Sequence, residues 1–79
     1  MFTYVLYSVE FDRFYTGMTK DVVKRLEQHN SKQNKSTKAF IPWKLIHVEQ
    51  FATRIEARER EKYLKSGIGR EFIKSKLDK

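Results

Sequence analysis

Two short runs rich in β-branched and aromatic residues open the chain, TYVLYSV over residues 3–9 and FYTGM over 14–18, with the polar stretch EFDR between them. Runs of this kind bounded by turn residues predict two strands, and Asp12 suits the left-handed backbone that a tight turn demands. TKDVVKRLEQHN then predicts a helix, with Thr19 or Asp21 able to cap its start and Val22 and Leu26 forming the inward line. SKQNKSTKAFIP is polar and reads as a loop closed by the only proline, and WKLIHVEQF reads as a third strand. TRIEAREREKYLKSG predicts a second helix, in which Thr53 and Glu56 have capping-box spacing and Gly67 stands where a C-terminal glycine belongs. REFIKSKL predicts a short third helix. The order β-β-α-β-α-α implies an α+β fold, a small three-stranded antiparallel sheet flanked by helices. Without an internal repeat, linker or low-complexity tract, residues 1–79 read as one domain.

Composition narrows the chemistry. With no cysteine, neither a disulfide framework nor a thiolate zinc site is available. Six Phe, four Tyr and one Trp supply enough aromatic mass for a compact core, although a domain of this size buries only roughly 60% of its unfolded surface. No apolar run approaches the roughly 20 residues of a membrane span. The start MFTYVLYSVEFD carries neither a basic lead nor a small-residue cleavage site, so it reads as a strand rather than a signal peptide. A cytoplasmic location and no membrane partner are the expectation.

Charge points to a partner. Seventeen Lys and Arg against ten Asp and Glu give a net charge of +7, which meets the electrostatic criterion for a nucleic-acid binder. The bland alternative is a lysine-rich soluble surface. The distribution favours nucleic acid, because no acidic residue lies between Glu27 and Glu49, and that gap holds Lys32, Lys35, Lys38 and Lys44. Neighbouring Ser, Thr and Asn side chains can also reach phosphate oxygens. The acids return in EARERE, alternating with arginines as on a solvated helix face.

Several positions carry candidate chemistry. Ala57, Glu61, Leu64 and Ile68 fall on one stripe of the second helix, and only Glu61 is not apolar. Glu61 is either a surface partner of Lys65 at i,i+4 or a carboxylate at a cleft edge able to hold a hard cation such as Mg²⁺, which often takes only one or two carboxylates and keeps its waters. Arg25 and His29, four apart, neighbour each other on the first helix, either as a solvated face or as a phosphate-binding pair at the sheet rim. His47 lies between apolar strand residues and carries no assigned role. Tyr7 and Tyr15 share a face if Glu10, Phe11 and Asp12 form a three-residue loop, and point apart if the register slips by one. Tyr4 reads as packing.

VLY at Val5–Tyr7 followed by YTG at Tyr15–Gly17 resembles the paired signature of the GIY-YIG nuclease family. The arginine in VVKRLEQHN, the segment STKAFIPWKLIHVEQF and the glutamate in EAREREKYLKSG fall in the same order and spacing as in that family. The resemblance runs to about Ile73 and is strongest to small stand-alone members. It implies metal-dependent hydrolysis of DNA phosphodiester bonds, with Mg²⁺ or Mn²⁺ as cofactor. It matches Tyr7 and Tyr15 to the signature tyrosines, one activating the nucleophilic water and the other positioning it or the phosphate. Arg25 is matched to the arginine that stabilises the scissile phosphate, His29 to a general-base or positioning residue, Glu61 to the metal ligand, and Gly17 to the glycine that lets the backbone pass close to the site. Val5 stands in place of the first glycine of the signature, Thr16 in place of isoleucine, and Met18 where DNA-repair members carry lysine. The resemblance also predicts that the hairpin brings Tyr7 and Tyr15 to one face. Duplex, branched, single-stranded or damaged DNA, or RNA, would fit as substrate, with Lys32, Lys35, Lys38 and Lys44 on the backbone. A protein partner could aim the enzyme, since 79 residues leave no room for a targeting domain. The alternative is a nucleic-acid-binding module that keeps the nuclease fold with little catalysis.

Overall fold

The computed structural model describes residues 1–77. Three antiparallel strands, β1 (Phe2–Ser8), β2 (Arg13–Thr19) and β3 (Lys44–Gln50), form a sheet of order β2-β1-β3. Three helices accompany it, α1 (Val22–Asn30), α2 (Arg54–Lys65) and α3 (Gly67–Leu77), giving the expected α+β fold. The loop before β3 contains a single turn of 3₁₀ helix, Lys38–Phe40.

Successive side chains of β1 feed two different cores. Tyr4 and Leu6 pack with Trp43 on one face, joined there by Tyr15, Val22, Leu26, Phe40, Ile41 and Leu45. Val5 packs with Leu64 and Ile73 on the other, with Phe14 and Ile46. The sheet is therefore covered by α1 and its following loop on one side and by α2 and α3 on the other. The central strand is buried continuously from Thr3 to Leu6, as expected for a strand covered on both faces.

Local chemistry fixes the helix ends. Asp21 caps α1, its carboxylate accepting from the Lys24 N–H at 3.1 Å. The capping box of α2 forms as the spacing predicts: the Glu56 N–H donates to Thr53 Oγ1, and the Thr53 N–H to the Glu56 carboxylate, each at 3.2 Å. The far end of α2 differs from the sequence expectation. The helix stops at Lys65, Ser66 adopts an extended conformation, and no glycine has a positive φ. Ser66 Oγ instead accepts from the Gly69 N–H, so Ser66 caps α3 and Gly67 is the first residue of the new helix. The break rotates Ile68 off the α2 stripe and leaves it 73% exposed. Gly69 serves packing, since a Cβ there would meet the backbone of Tyr63 and Leu64.

The hairpin corrects a second expectation. Ser8 pairs with Arg13 across a four-residue loop, so Leu6 lies opposite Tyr15 and Tyr7 opposite Phe14. Asp12 takes the left-handed conformation (φ 51), and its carboxylate accepts the Tyr7 hydroxyl at 2.9 Å. A one-residue difference in register exchanges faces. Tyr7 accordingly points to the α2/α3 side while Tyr15 points to the α1 side.

Candidate active site

The residue that faces Tyr15 is Tyr4. Its strand position is opposite Gly17, and its ring lies 6.3 Å from that of Tyr15, centroid to centroid. Gly17 makes this possible: a Cβ there would lie 2.7 Å from the Tyr4 hydroxyl and 2.9 Å from Cζ, closer than real Cβ contacts come. The glycine is thus required by the packing of this face, where it makes room for a side chain rather than for the passing backbone that the resemblance implied.

α1 delivers two more groups to this face. His29 is fully buried. Its Nε2 lies 3.1 Å from the Tyr4 hydroxyl and its Nδ1 2.8 Å from Thr37 Oγ1. Thr37 Oγ1 is also within 3.4 Å of the Asn34 carbonyl, to which it donates. That assigns the proton to His29 Nδ1 and makes Nε2 the acceptor of the Tyr4 O–H. Burial, with the Arg25 charge adding to it, holds the His29 pKa below its usual value and keeps the ring neutral. His29 also sits 4.7 Å from the Tyr15 ring. Enclosed in this way, it makes its contacts with Tyr4, Tyr15 and Thr37.

Burial pushes the Tyr4 pKa up to about 12, against the opposing pull of the Arg25 guanidinium beside it. Tyr4 therefore stays protonated near neutrality and works as a fixed donor. Arg25 Nε is buried without a hydrogen-bond partner, while Nη1 reaches Gln28 Oε1 at 3.4 Å. A buried unpaired N–H on a permanent cation is costly to leave unmade, and an incoming anion would satisfy it. Beside it, a pocket of about 170 Å³ is lined by Arg25, Gln28, His29, Gln33 and Asn34.

Glu61 comes from α2, whose core contacts are on the opposite face, yet its charge still acts on the Tyr4 hydroxyl. Its side chain is only 13% exposed and pairs with Lys65 Nζ at 3.2 Å and Arg58 Nε at 3.9 Å. Of the two alternatives read from the stripe, the i,i+4 pair with Lys65 forms, and the carboxylate is at the same time close enough to Tyr4 for its charge to be felt there. Among the described residues no group of three or more His, Cys, Asp or Glu could enclose a metal ion. The donor set suits a hydrated Mg²⁺ or Mn²⁺ on a single carboxylate, and it does not suit zinc.

Tyr7 is outside this constellation. Its hydroxyl donates to Asp12, whose carboxylate raises the phenol's pKa, and its ring packs on Phe14, with centroids 4.9 Å apart. The expectation that the hairpin brings Tyr7 and Tyr15 to one face is therefore corrected: the tyrosine that faces Tyr15 is Tyr4. Tyr4 was legible only through its pairing with Gly17, which depends on the register. Two further residues escaped the sequence reading. Thr37 holds His29 and accepts the Trp43 indole N–H on its carbonyl at 2.9 Å. Asn30 clamps the Trp43 backbone, donating to its carbonyl at 3.0 Å and accepting its N–H at 2.6 Å. Together they fasten the polar loop to α1. Lys32, Lys35, Lys38 and Lys44 are all exposed; the first three ride on that loop, and Lys44 begins β3 opposite Tyr7. His47, given no role, bonds Glu49 at 2.6 Å, which in turn accepts from Arg60 at 2.9 Å on the α2/α3 face.

The fold and this cluster define a class. Residues 1–71 match the family model described as the GIY-YIG catalytic domain, and the chain belongs to that family, a family of nucleases. Its relatives include a UPF0213 protein of Haloquadratum walsbyi, 41% identical over 56 residues, covering 70% of this chain and 63% of the relative. A UPF0213 protein of Staphylococcus saprophyticus is 43% identical over 53 residues, covering 66% of this chain and 65% of the relative. One from Listeria monocytogenes is 43% identical over 61 residues, covering 76% and 67%. The match thus spans somewhat under two thirds of the first two relatives. No solved structure matches the chain. No helix among the described residues is long and apolar enough to cross a membrane.

Proposed function

We propose that this chain is a Mg²⁺- or Mn²⁺-dependent endonuclease that hydrolyses DNA phosphodiester bonds. One observation carries the reading: Tyr4, Tyr15, Arg25 and His29 converge on one face of the sheet, with the Glu61 charge acting on the same point. Tyr15 is half-buried while Tyr4 is enclosed, so Tyr15 is the tyrosine that meets the attacking water. Tyr4, held by His29, positions Tyr15 by packing. Arg25, with a buried N–H lacking a partner, takes the scissile phosphate and neutralises its developing charge. Glu61 would hold the divalent ion, which when bound supplies charge neutralisation at the phosphate and the leaving oxygen. Lys32, Lys35 and Lys38, on the loop that follows α1, contact the backbone largely without reading sequence; Lys44, paired with Tyr7 on the other face of the sheet, is set aside from that role.

The test is conversion of supercoiled plasmid to nicked or linear product with Mg²⁺, by the natural protein and by Glu61→Ala. Cleavage by the first and none by the second is expected. Equal cutting by both would sink the mechanism, and DNA retention without any metal-dependent product would favour a binding module over an enzyme.

A further inference from the structure

The hairpin tip carries features the nuclease chemistry leaves unused. Phe11 is 47% exposed in the β1–β2 loop. Its ring meets the edge of Phe40 at 5.5 Å and 73°, and the Arg13 guanidinium lies over the Phe40 ring, 4.8 Å from its centroid. Phe40 packs against the core on the α1 side of the sheet. Arg13 and Tyr15 share that face of β2, two residues apart, hence about 7 Å along the strand. An aromatic chain joins the two places: Tyr15 to Trp43 at 6.4 Å, Trp43 to Phe40 at 6.4 Å, and Phe40 to Phe11.

An exposed phenylalanine held rigidly by a second ring is costly to present to water. Here it stands beside an arginine already stacked on an aromatic face, with Lys38 on the same short helix as Phe40. The hairpin's own acids weaken the positive field only in part: Glu10 is exposed, and Asp12 is engaged by Tyr7. Aromatic rings interleaved with cations along a groove are the means by which proteins stack unpaired bases while holding the backbone. A fully paired duplex offers such a ring no accessible base face.

We propose that Phe11, Phe40 and Arg13 form a stacking platform for an unpaired base next to the scissile phosphate, so that the substrate is a strand with unpaired nucleotides at the cut site. This rests on the nucleic-acid reading above and extends it to substrate class. Phe11 takes the base on its open face, and Arg13 contacts the adjoining phosphate.

Binding of fluorescent oligonucleotides without divalent metal, followed by anisotropy, tests it independently of cleavage. The probes are a 20-nucleotide single strand and the corresponding blunt duplex. For Phe11→Ala, single-strand affinity should fall roughly 5- to 20-fold, the lower part of the range for one base–aromatic stack, while duplex affinity stays within about 2-fold. Phe11→Trp should retain single-strand binding. Equal losses on both probes, or unchanged single-strand binding by Phe11→Ala, overturn the platform while leaving the nuclease reading standing. A natural protein that binds neither probe overturns both. Phe11→Ala also gives up its edge contact with Phe40, worth about 0.5–1.5 kcal/mol, so binding is compared well below the melting midpoint of each variant.

Discussion

Gly17→Ala tests the packing that brings the two tyrosines together. The added Cβ would lie 2.7 Å from the Tyr4 hydroxyl, 2.9 Å from Cζ and 3.1 Å from a Tyr15 ring carbon. Ordinary contact begins near 3.4 Å, so the end of the Tyr4 ring must retreat by about 0.7 Å. It has little freedom to do so: Tyr4 is 1% exposed, and its hydroxyl is fixed 3.1 Å from a fully buried histidine. Overpacking of this kind costs about 1–3 kcal/mol, and a lost Tyr4–His29 bond would add to it by leaving a buried acceptor unpaired. For a domain of this size each kcal/mol lowers Tm by roughly 4–8 °C, so a fall of about 5–20 °C is expected by calorimetry, with the same ordering in urea at an unchanged m-value. Gly67→Ala is the matched control. A Cβ there meets nothing within 4 Å, and the residue opens a helix without positive φ, so the substitution should stabilise by about 0.4–1 kcal/mol. A stable Gly17→Ala would refute the close approach of Tyr4. A destabilised Gly67→Ala would restore the left-handed cap and refute the Ser66 break.

Asn30→Ala removes both bonds that clamp Trp43; a loss of about 2–4 kcal/mol is expected from two buried backbone groups left unpaired, read from the denaturation midpoint, and a loss below 0.5 would contradict the clamp. His29 gives an acid signature. Its folded pKa lies below the ordinary 6.5, so below that value the unfolded chain binds a proton that the native state refuses. Its contribution is complete above about pH 6.5 and lost as pH falls toward the folded pKa, at up to about 1.4 kcal/mol per pH unit. His29→Gln should flatten that slope in urea titrations between pH 6.5 and 5, and an unchanged slope would place the acid sensitivity elsewhere.

The fold was legible because each element carried its own signal. The Thr53–Glu56 pair, the Asp21 cap and the β-branched runs all work within a few residues, and each forms as the spacing predicts. The register was not legible, for a physical reason. Alternation of polar and apolar residues fixes a register only when one face of a sheet meets water, and here both faces are covered, so Tyr4, Val5 and Leu6 are all buried. What remains to set it is loop length. The four-residue turn closed by Asp12 at φ 51 sends Tyr7 to the far side and puts Tyr4 opposite Gly17. Gly67 misled in a similar way, because a glycine beside a serine suits a helix end and a helix start alike, and Ser66 Oγ decides between them. Spacing singled out Arg25, His29 and Glu61 as neighbours on helix faces, which α1 and α2 preserve, while leaving a solvated-face or surface-pair reading open for each; Thr37 sits in a loop where spacing carries no direction.

The central claim is that Tyr15 works with Tyr4, across Gly17 and against His29, and that Tyr7 is structural. Single-turnover cleavage of labelled DNA with Mg²⁺ by Tyr15→Phe, Tyr4→Phe and Tyr7→Phe tests it most directly. Loss of a group that assists proton transfer costs roughly 10²–10⁴-fold, and that is the fall expected for Tyr15→Phe. Tyr4→Phe should fall by about 10-fold or more through loss of its bond to His29, consistent with 1–3 kcal/mol for an unpaired buried group. Tyr7→Phe, which removes only an exposed bond to Asp12, should cut within about 2-fold of the natural rate, surface changes of this kind being nearly neutral. Cleavage lost in Tyr7→Phe and kept in Tyr4→Phe would contradict the account.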